Sequence, residues 1–129
     1  RGVIREAVLR EALATESTAA HLAVGLQDAF DSAGVAAHVS RVGPLVGLYL
    51  APTGTPGPVP APVDYDGARA ADEAGYGRFF HAMLDAGVAL APGAYEVLFP
   101  GLARTPDIVA HVVSVACEAA RTLAGEDRA

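Results

Sequence analysis

The chain has 129 residues, 52% of them hydrophobic, and a formal net charge of −6. That length fits one domain able to build its own core, and the acidic balance argues against nucleic acid or an anionic membrane as partner. A single cysteine, Cys117, excludes an internal disulfide and a CxxC metal site, which suits a cytoplasmic protein. The hydrophobic surplus is mostly Ala and Val, and no run approaches the ~20 apolar residues of a membrane span. Surplus apolar surface then points to a face meant for another domain or subunit.

In chain order, Val3 to Ala14 reads as a helix with Val8, Leu9 and Leu13 along one side and Glu6 paired to Arg10 at i,i+4. Thr15-Glu16-Ser17-Thr18 interrupts the pattern, as a kink or as the N-cap of a second helix. Leu22, Leu26 and Phe30 then recur at helical spacing until Gly34. Val35 to Val42 and the apolar Leu45 to Leu50 flank Gly43-Pro44, as two strands or one strand broken by a bulge. Ala51 to Val63 carries five prolines and is expected to be an extended, exposed loop.

Ala68 to Ala86 reads as a helix with Tyr76, Phe79, Phe80 and Met83 facing inward. Asp85-Ala86-Gly87 ends it, Val88 to Leu90 is expected to be a short apolar strand, and Ala91-Pro92-Gly93-Ala94 a tight loop. That loop hands one carboxylate, Glu96, to a second strand in otherwise apolar surroundings, an unusual setting for a glutamate without a partner or a task. The last helix opens at Thr105-Pro106-Asp107, with a hydroxyl N-cap, proline at the first helical position and an acid in the first turn. Ile108, Val112, Val115, Ala116, Ala119 and Leu123 line one of its faces; Gly125 should end it and Glu126 to Ala129 fray. The order helix, two strands, helix, two strands, helix gives an α+β fold. It is a small, mostly antiparallel sheet with helices packed on one face.

Little of the remaining chemistry is patterned. His21, His38, His81 and His111 fall on separate elements and in no HExxH or HxH spacing, so no metal site is expected. His81 reads as a helix residue packed near the core, and Cys117 as a packed helix thiol. Gly54, Gly57 and Gly93 are isolated turn glycines that form no phosphate loop. Arg41 and Arg104 are candidate carboxylate clamps, set against the commoner role of solvated surface arginines. Glu96, read from composition alone, is an edge-strand charge reaching solvent.

Two absences are informative. The only methionine is Met83, so nothing in the chain is an initiator, which points to a piece of a longer product. All nine basic residues are arginine.

The run Phe79 to Leu84 (FFHAML), Gly87-Val88, Leu90-Ala91-Pro92 and Tyr95-Glu96 resembles the C-terminal segment of the glutamate-1-semialdehyde 2,1-aminomutase family. These are class-III, fold-type-I enzymes dependent on pyridoxal phosphate. Leu22 to Gly34 (LAVGLQDAFDSAG) is similar to the family's long helix, and Arg41-Val42-Gly43, Tyr65, Asp72 and Arg78 also match. The likeness runs from about Ala20 to Leu123. It implies one aminotransferase-like C-terminal domain over residues 1–129, with a helical lead-in at 1–19 and a Pro-rich loop at 51–63. It implies that Glu96 faces the cofactor and substrate amino groups, with Gly93 and Tyr95 beside it. It also implies a homodimeric enzyme whose larger domain holds the cofactor through a lysine amine, a residue this chain lacks. The chain alone should therefore contribute no cofactor-binding residue and be inactive. The whole enzyme would act on a small molecule, transferring an amino group to give 5-aminolevulinate for tetrapyrrole synthesis. The family usually has serine at position 93, tyrosine at 89, small residues at 97–98 and often histidine at 104. These departures leave open a class-III transaminase with another amino donor, and a lysine-free chain leaves open a non-catalytic, stand-alone interaction domain.

Overall fold

The computed structural model describes residues 2–101 and 105–127. Its elements are α1 (Gly2–Ala33), β1 (Ala37–Val42), β2 (Leu45–Leu50), α2 (Tyr65–Arg69), α3 (Glu73–Asp85), β3 (Val97–Leu98) and α4 (Pro106–Glu126). The strands form one antiparallel sheet in the order β1-β2-β3. The α+β expectation holds, and the helices gather on one face of the sheet: α1 and α3 pack on it, and α4 packs across both.

The helix expected to break near Thr15 does not break. Thr15 and Thr18 donate their hydroxyls to the carbonyls of Glu11 (2.9 Å) and Ala14 (3.0 Å), one turn back. Residues that compete for backbone hydrogen bonds at a cap thus satisfy themselves inside the helix, and α1 runs 32 residues without interruption. It is covered only from Thr15 onward: Thr15, Ala19, Leu22, Ala23, Leu26, Ala29 and Phe30 are buried. In the first half Val3, Ile4, Val8, Leu9 and Leu13 stand exposed. The Glu6–Arg10 pair is present at 3.3 Å but lies in water, where such pairs contribute little.

Both long helices before the candidate loop end in the same way. Gly34 and Gly87 take φ of +73 and +86. The following residue donates to the carbonyl five positions back, Val35 to Phe30 (3.0 Å) and Val88 to Met83 (2.9 Å). Each bond sets an apolar residue over the helix end it caps, the Schellman arrangement.

β1 and β2 form a hairpin, with Val42 opposite Leu45 and Gly43-Pro44 as its two-residue loop. A positive φ at Gly43 (+55) followed by proline's fixed negative one supplies that turn without a bulge. Val46, Leu48 and Leu50 face the helices together with Ala37 and Leu98. The open side of the sheet carries Ser40, Gly47 and Val97 in one row and Val42 with Leu45 beside it. The outer edge of β1 is occupied by a side chain: Gln27 donates to the Ala37 carbonyl (3.2 Å) and accepts from the Val39 amide (2.9 Å).

The helix expected over Ala68 to Ala86 is two helices. Asp64 caps the five-residue α2, and Asp72 starts α3 by accepting from the Gly75 amide at 2.9 Å. The Asp72 amide meanwhile donates to the Leu50 carbonyl (2.7 Å), which fixes the break at the end of β2. Tyr76, Phe79 and Met83 do face inward, and Phe80 is half-buried. Phe79 meets Phe30 with ring centroids 4.9 Å apart and tilted 50°. Residues 51–63 form no helix or strand, as expected.

α4 starts where its cap signals place it, with the Thr105 side chain accepting from the Ile108 amide and Pro106 opening the helix. By length and composition α4 is apolar enough to cross a membrane, and here it is a core helix burying Val109, Val112, Ala116, Ala119, Ala120 and Leu123. Ile108, expected on that face, is 40% exposed. Gly125 does not stop it. The helix continues to Glu126, and Glu126 and Asp127 are held rather than frayed. Arg78 pairs with Glu126 (3.5 Å) and Asp127 (3.0 Å), and Thr53 donates to Asp127 (2.9 Å). Arg128 and Ala129 lie outside the described residues.

Where α1 crosses α4, a Cβ on Gly25 would lie 2.4 Å from Val113 Cγ2. Alanine there gains about 1 kcal/mol of helix propensity and meets overpacking of about 1–3 kcal/mol against a stiff β-branched side chain. Gly25→Ala should therefore lower the denaturant midpoint, and adding Val113→Ala should remove the overpacking part. A Gly25→Ala protein more stable than the parent would refute the close crossing.

Candidate functional site

Residues 88–90, expected as a strand, are not one. Val88 is spent on capping α3 and is buried, and among the described residues no strand pairs with the segment. The segment instead lines a cleft of about 240 Å³ with Leu22, Val97, Phe99 and Val112. Gly93, Tyr95 and Glu96 do not line that cleft. Their place is the turn before β3, closed by the Glu96 amide donating to the Gly93 carbonyl at 3.1 Å.

Glu96 is exposed rather than set in apolar surroundings, because it stands on this turn one residue before β3 begins. Its side chain folds back over Gly93. A Cβ on that glycine would sit 2.9 Å from Glu96 Oε1 and 3.2 Å from its carboxyl carbon. Gly93 is thus the residue that leaves room for the carboxylate. Tyr95 is partly exposed and donates its hydroxyl to Glu73 Oε1 on the first turn of α3. The three residues singled out in the sequence are therefore together, at the surface.

Sequence reasoning missed a fourth residue. Tyr76, a core aromatic by its helical spacing, is 4% exposed, and its hydroxyl donates to the Ala91 carbonyl at 2.5 Å. Burial pushes its phenol above the ordinary value of 10.0, and the nearby Glu96 charge pushes the same way. A buried tyrosine needs a partner for its hydroxyl, and that need is the signal that would have pointed to the loop.

The remaining candidates do not join this cluster. Arg41 is exposed and donates to the Gly43 carbonyl of its own hairpin (2.9 Å). Arg104 lies outside the described residues. His38 Nδ1 lies 3.0 Å from the Val59 carbonyl, tying the Pro-rich loop to β1. His81 is exposed, not packed in the core, and sits edge-on to Phe80. Among the described residues no group of three His, Cys, Asp or Glu side chains is placed to hold a metal. Cys117 is half-buried against the core, as expected.

No family model matches the chain. Individual proteins do. The chain is 36% identical over 104 residues to a glutamate-1-semialdehyde 2,1-aminomutase of Natranaerobius thermophilus, covering 81% of this chain and 23% of that protein. It is 36% identical over 103 residues to the Neisseria meningitidis serogroup A protein of the same name (80% and 22%). To that of Myxococcus xanthus it is 39% identical over 108 residues (84% and 23%). These matches relate the chain to one segment of proteins that bear the aminomutase name. The likeness is to glutamate-1-semialdehyde 2,1-aminomutases, and the chain spans under a quarter of the length of the curated relatives it matches.

The raised Tyr76 value has a consequence for stability. The folded chain holds the phenol proton more tightly than the unfolded chain, so its contribution is fully present below about pH 10. It is lost as pH rises from there through the raised folded value, because the unfolded chain ionises first. Denaturant midpoints should therefore fall more steeply above about pH 10 in the parent than in Tyr76→Phe. Parallel curves would remove the shift.

Proposed function

We propose that this chain is the C-terminal domain of a glutamate-1-semialdehyde 2,1-aminomutase-like enzyme with the aminotransferase fold the family name implies. In this reading the whole protein moves an amino group within glutamate 1-semialdehyde and gives 5-aminolevulinate for tetrapyrrole synthesis. It works as a cytoplasmic homodimer. The observation that carries the proposal is the 36–39% identity, across four-fifths of this chain, to relatives bearing that name.

Pyridoxal phosphate, when bound, supplies the amine and aldehyde chemistry of such a transfer. The residues of this chain do not fit the task of holding it. No lysine is available to bind its aldehyde, and Gly93 is on a different loop from Gly54 and Gly57, so the three form no phosphate cradle. Holding the cofactor falls to the part of the protein that the relatives have beyond this segment.

What this chain supplies is a carboxylate and a surface. Glu96 presents a negative charge that attracts an ammonium group. In open water such a pair is worth at most about 1 kcal/mol; covered by a second domain, the same attraction strengthens as the dielectric falls. The open side of the sheet provides for that cover, with Val42, Leu45 and Val97 exposed at 75, 38 and 50%. Val97 follows Glu96 directly, so a domain seated on this face would also close over the carboxylate. Glycine rather than serine at 93, and arginine at 104, support a class-III transaminase with another donor as the second reading.

Two measurements test this. Glu96→Gln in the enzyme that contains this chain should lower 5-aminolevulinate formation about 10- to 100-fold, the loss of one polar contact in the transition state, with the melting temperature nearly unchanged. Unchanged turnover would mean the family role does not carry over to Glu96. The chain alone, incubated with pyridoxal phosphate and gel-filtered, should keep no Schiff-base absorbance once its N-terminus is blocked. Retained absorbance would refute the division of labour.

A further inference from the structure

We propose that Tyr76 is a positioning residue, whose hydroxyl holds the Ala91 carbonyl and thereby sets the 91–96 turn that presents Glu96. The inference rests on the reading of Glu96 given above. The turn's own backbone contributes the Glu96 amide to Gly93 carbonyl bond, which shapes the turn but does not orient it against the rest of the domain. Two tyrosine hydroxyls do that, one on each side of Pro92-Gly93. Tyr76 reaches out from α3 to Ala91, and Tyr95 reaches back to Glu73. Glu73 and Tyr76 are three residues apart, so both ties end on the first turn of α3.

That first turn is itself fixed. The Asp72 amide bonds to Leu50 at the end of β2, and the Asp72 carboxylate caps the Gly75 amide. A Cβ on Gly75 would lie 2.3 Å from Asp72 Oδ2, so glycine is what admits the cap. A chain of contacts thus runs from the sheet through Asp72 and Tyr76 to Ala91, and so to Glu96. Of these links Tyr76 is the one that can be cut cleanly. Its ring is buried and packs equally well as phenylalanine, while the hydroxyl alone makes the tie. Because burial and the Glu96 charge both hold the proton on, the phenol remains a donor at neutral pH. A water molecule at Ala91 would satisfy the carbonyl but would not anchor the turn to α3.

The test compares Tyr76→Phe, Glu96→Gln and the double variant in the enzyme that contains this chain, with amide exchange as a second readout. Tyr76→Phe should speed exchange of the Glu96 amide about 10-fold, as for one lost hydrogen bond. It should lower kcat about 5- to 30-fold, with KM little changed. The double variant should be no more than about twofold slower than Glu96→Gln alone, since both act through one carboxylate. Unchanged exchange at Glu96 would overturn the proposal, as would kcat losses that multiply in the double variant. If the parent enzyme forms no 5-aminolevulinate, the functional reading fails by itself, and exchange still decides whether Tyr76 tethers the turn.

Discussion

Helices α1 and α4 lie against each other because residue 25 carries no side chain. At that crossing Val113 occupies the space a Cβ would take, and the approach brings the buried face of α4 down onto the second half of α1. Much else follows from it. With one flank of α1 closed by α4, the adjoining flank is left for the sheet and for Phe79 of α3, which meets Phe30. The small residues Ala116, Ala119 and Ala120 allow the same closeness further along α4. This accounts for a composition rich in alanine and valine: the core is built by bringing backbones near one another more than by filling space with aromatics.

The candidate site depends on that core without belonging to it. Tyr76, buried beside Phe79, is the point where packing becomes positioning, since its ring belongs to the core and its hydroxyl to the turn. Glu96 itself costs the fold little. It stays in water, so no desolvation penalty is paid by the domain in isolation. An acid kept at the surface in this way gains strength only when something covers it. That separates the stability of the domain from the chemistry in which we propose it takes part.

Much of the architecture was legible in the residues, for identifiable reasons. The α4 start was written in Thr105-Pro106-Asp107, the helix ends in Gly34 and Gly87, and the hairpin in Gly43-Pro44, because caps and turns depend on one or two residues of fixed chemistry. Where the structure differs, a local signal is answered by another group, in some cases one turn away and in others far along the chain. Thr15 and Thr18 turned their hydroxyls into the helix; Asp72 cut one helix into two because Leu50 was there to bond it. Glu126 and Asp127 were held by Arg78 and Thr53, which are remote in sequence. Val88 to Leu90 looked like a strand because apolar residues at a helix cap and a cleft wall have a strand's composition. Of the site, Gly93, Tyr95 and Glu96 were found through resemblance, whereas Tyr76 was hidden by being an adequate core residue in its own right.

The Gln27 amide on the rim of β1 has a consequence for how this domain can go wrong. An edge strand offers its backbone to any extended chain that arrives, and a protein with this much uncovered aliphatic surface would seem a ready template for fibres. Gln27 already occupies the donor of Val39 and the acceptor of Ala37, so an incoming strand finds the first part of that rim taken. The opposite rim belongs to β3, which is two residues long, too short to seed a ladder. Growth by strand addition is thereby disfavoured at both rims of the sheet.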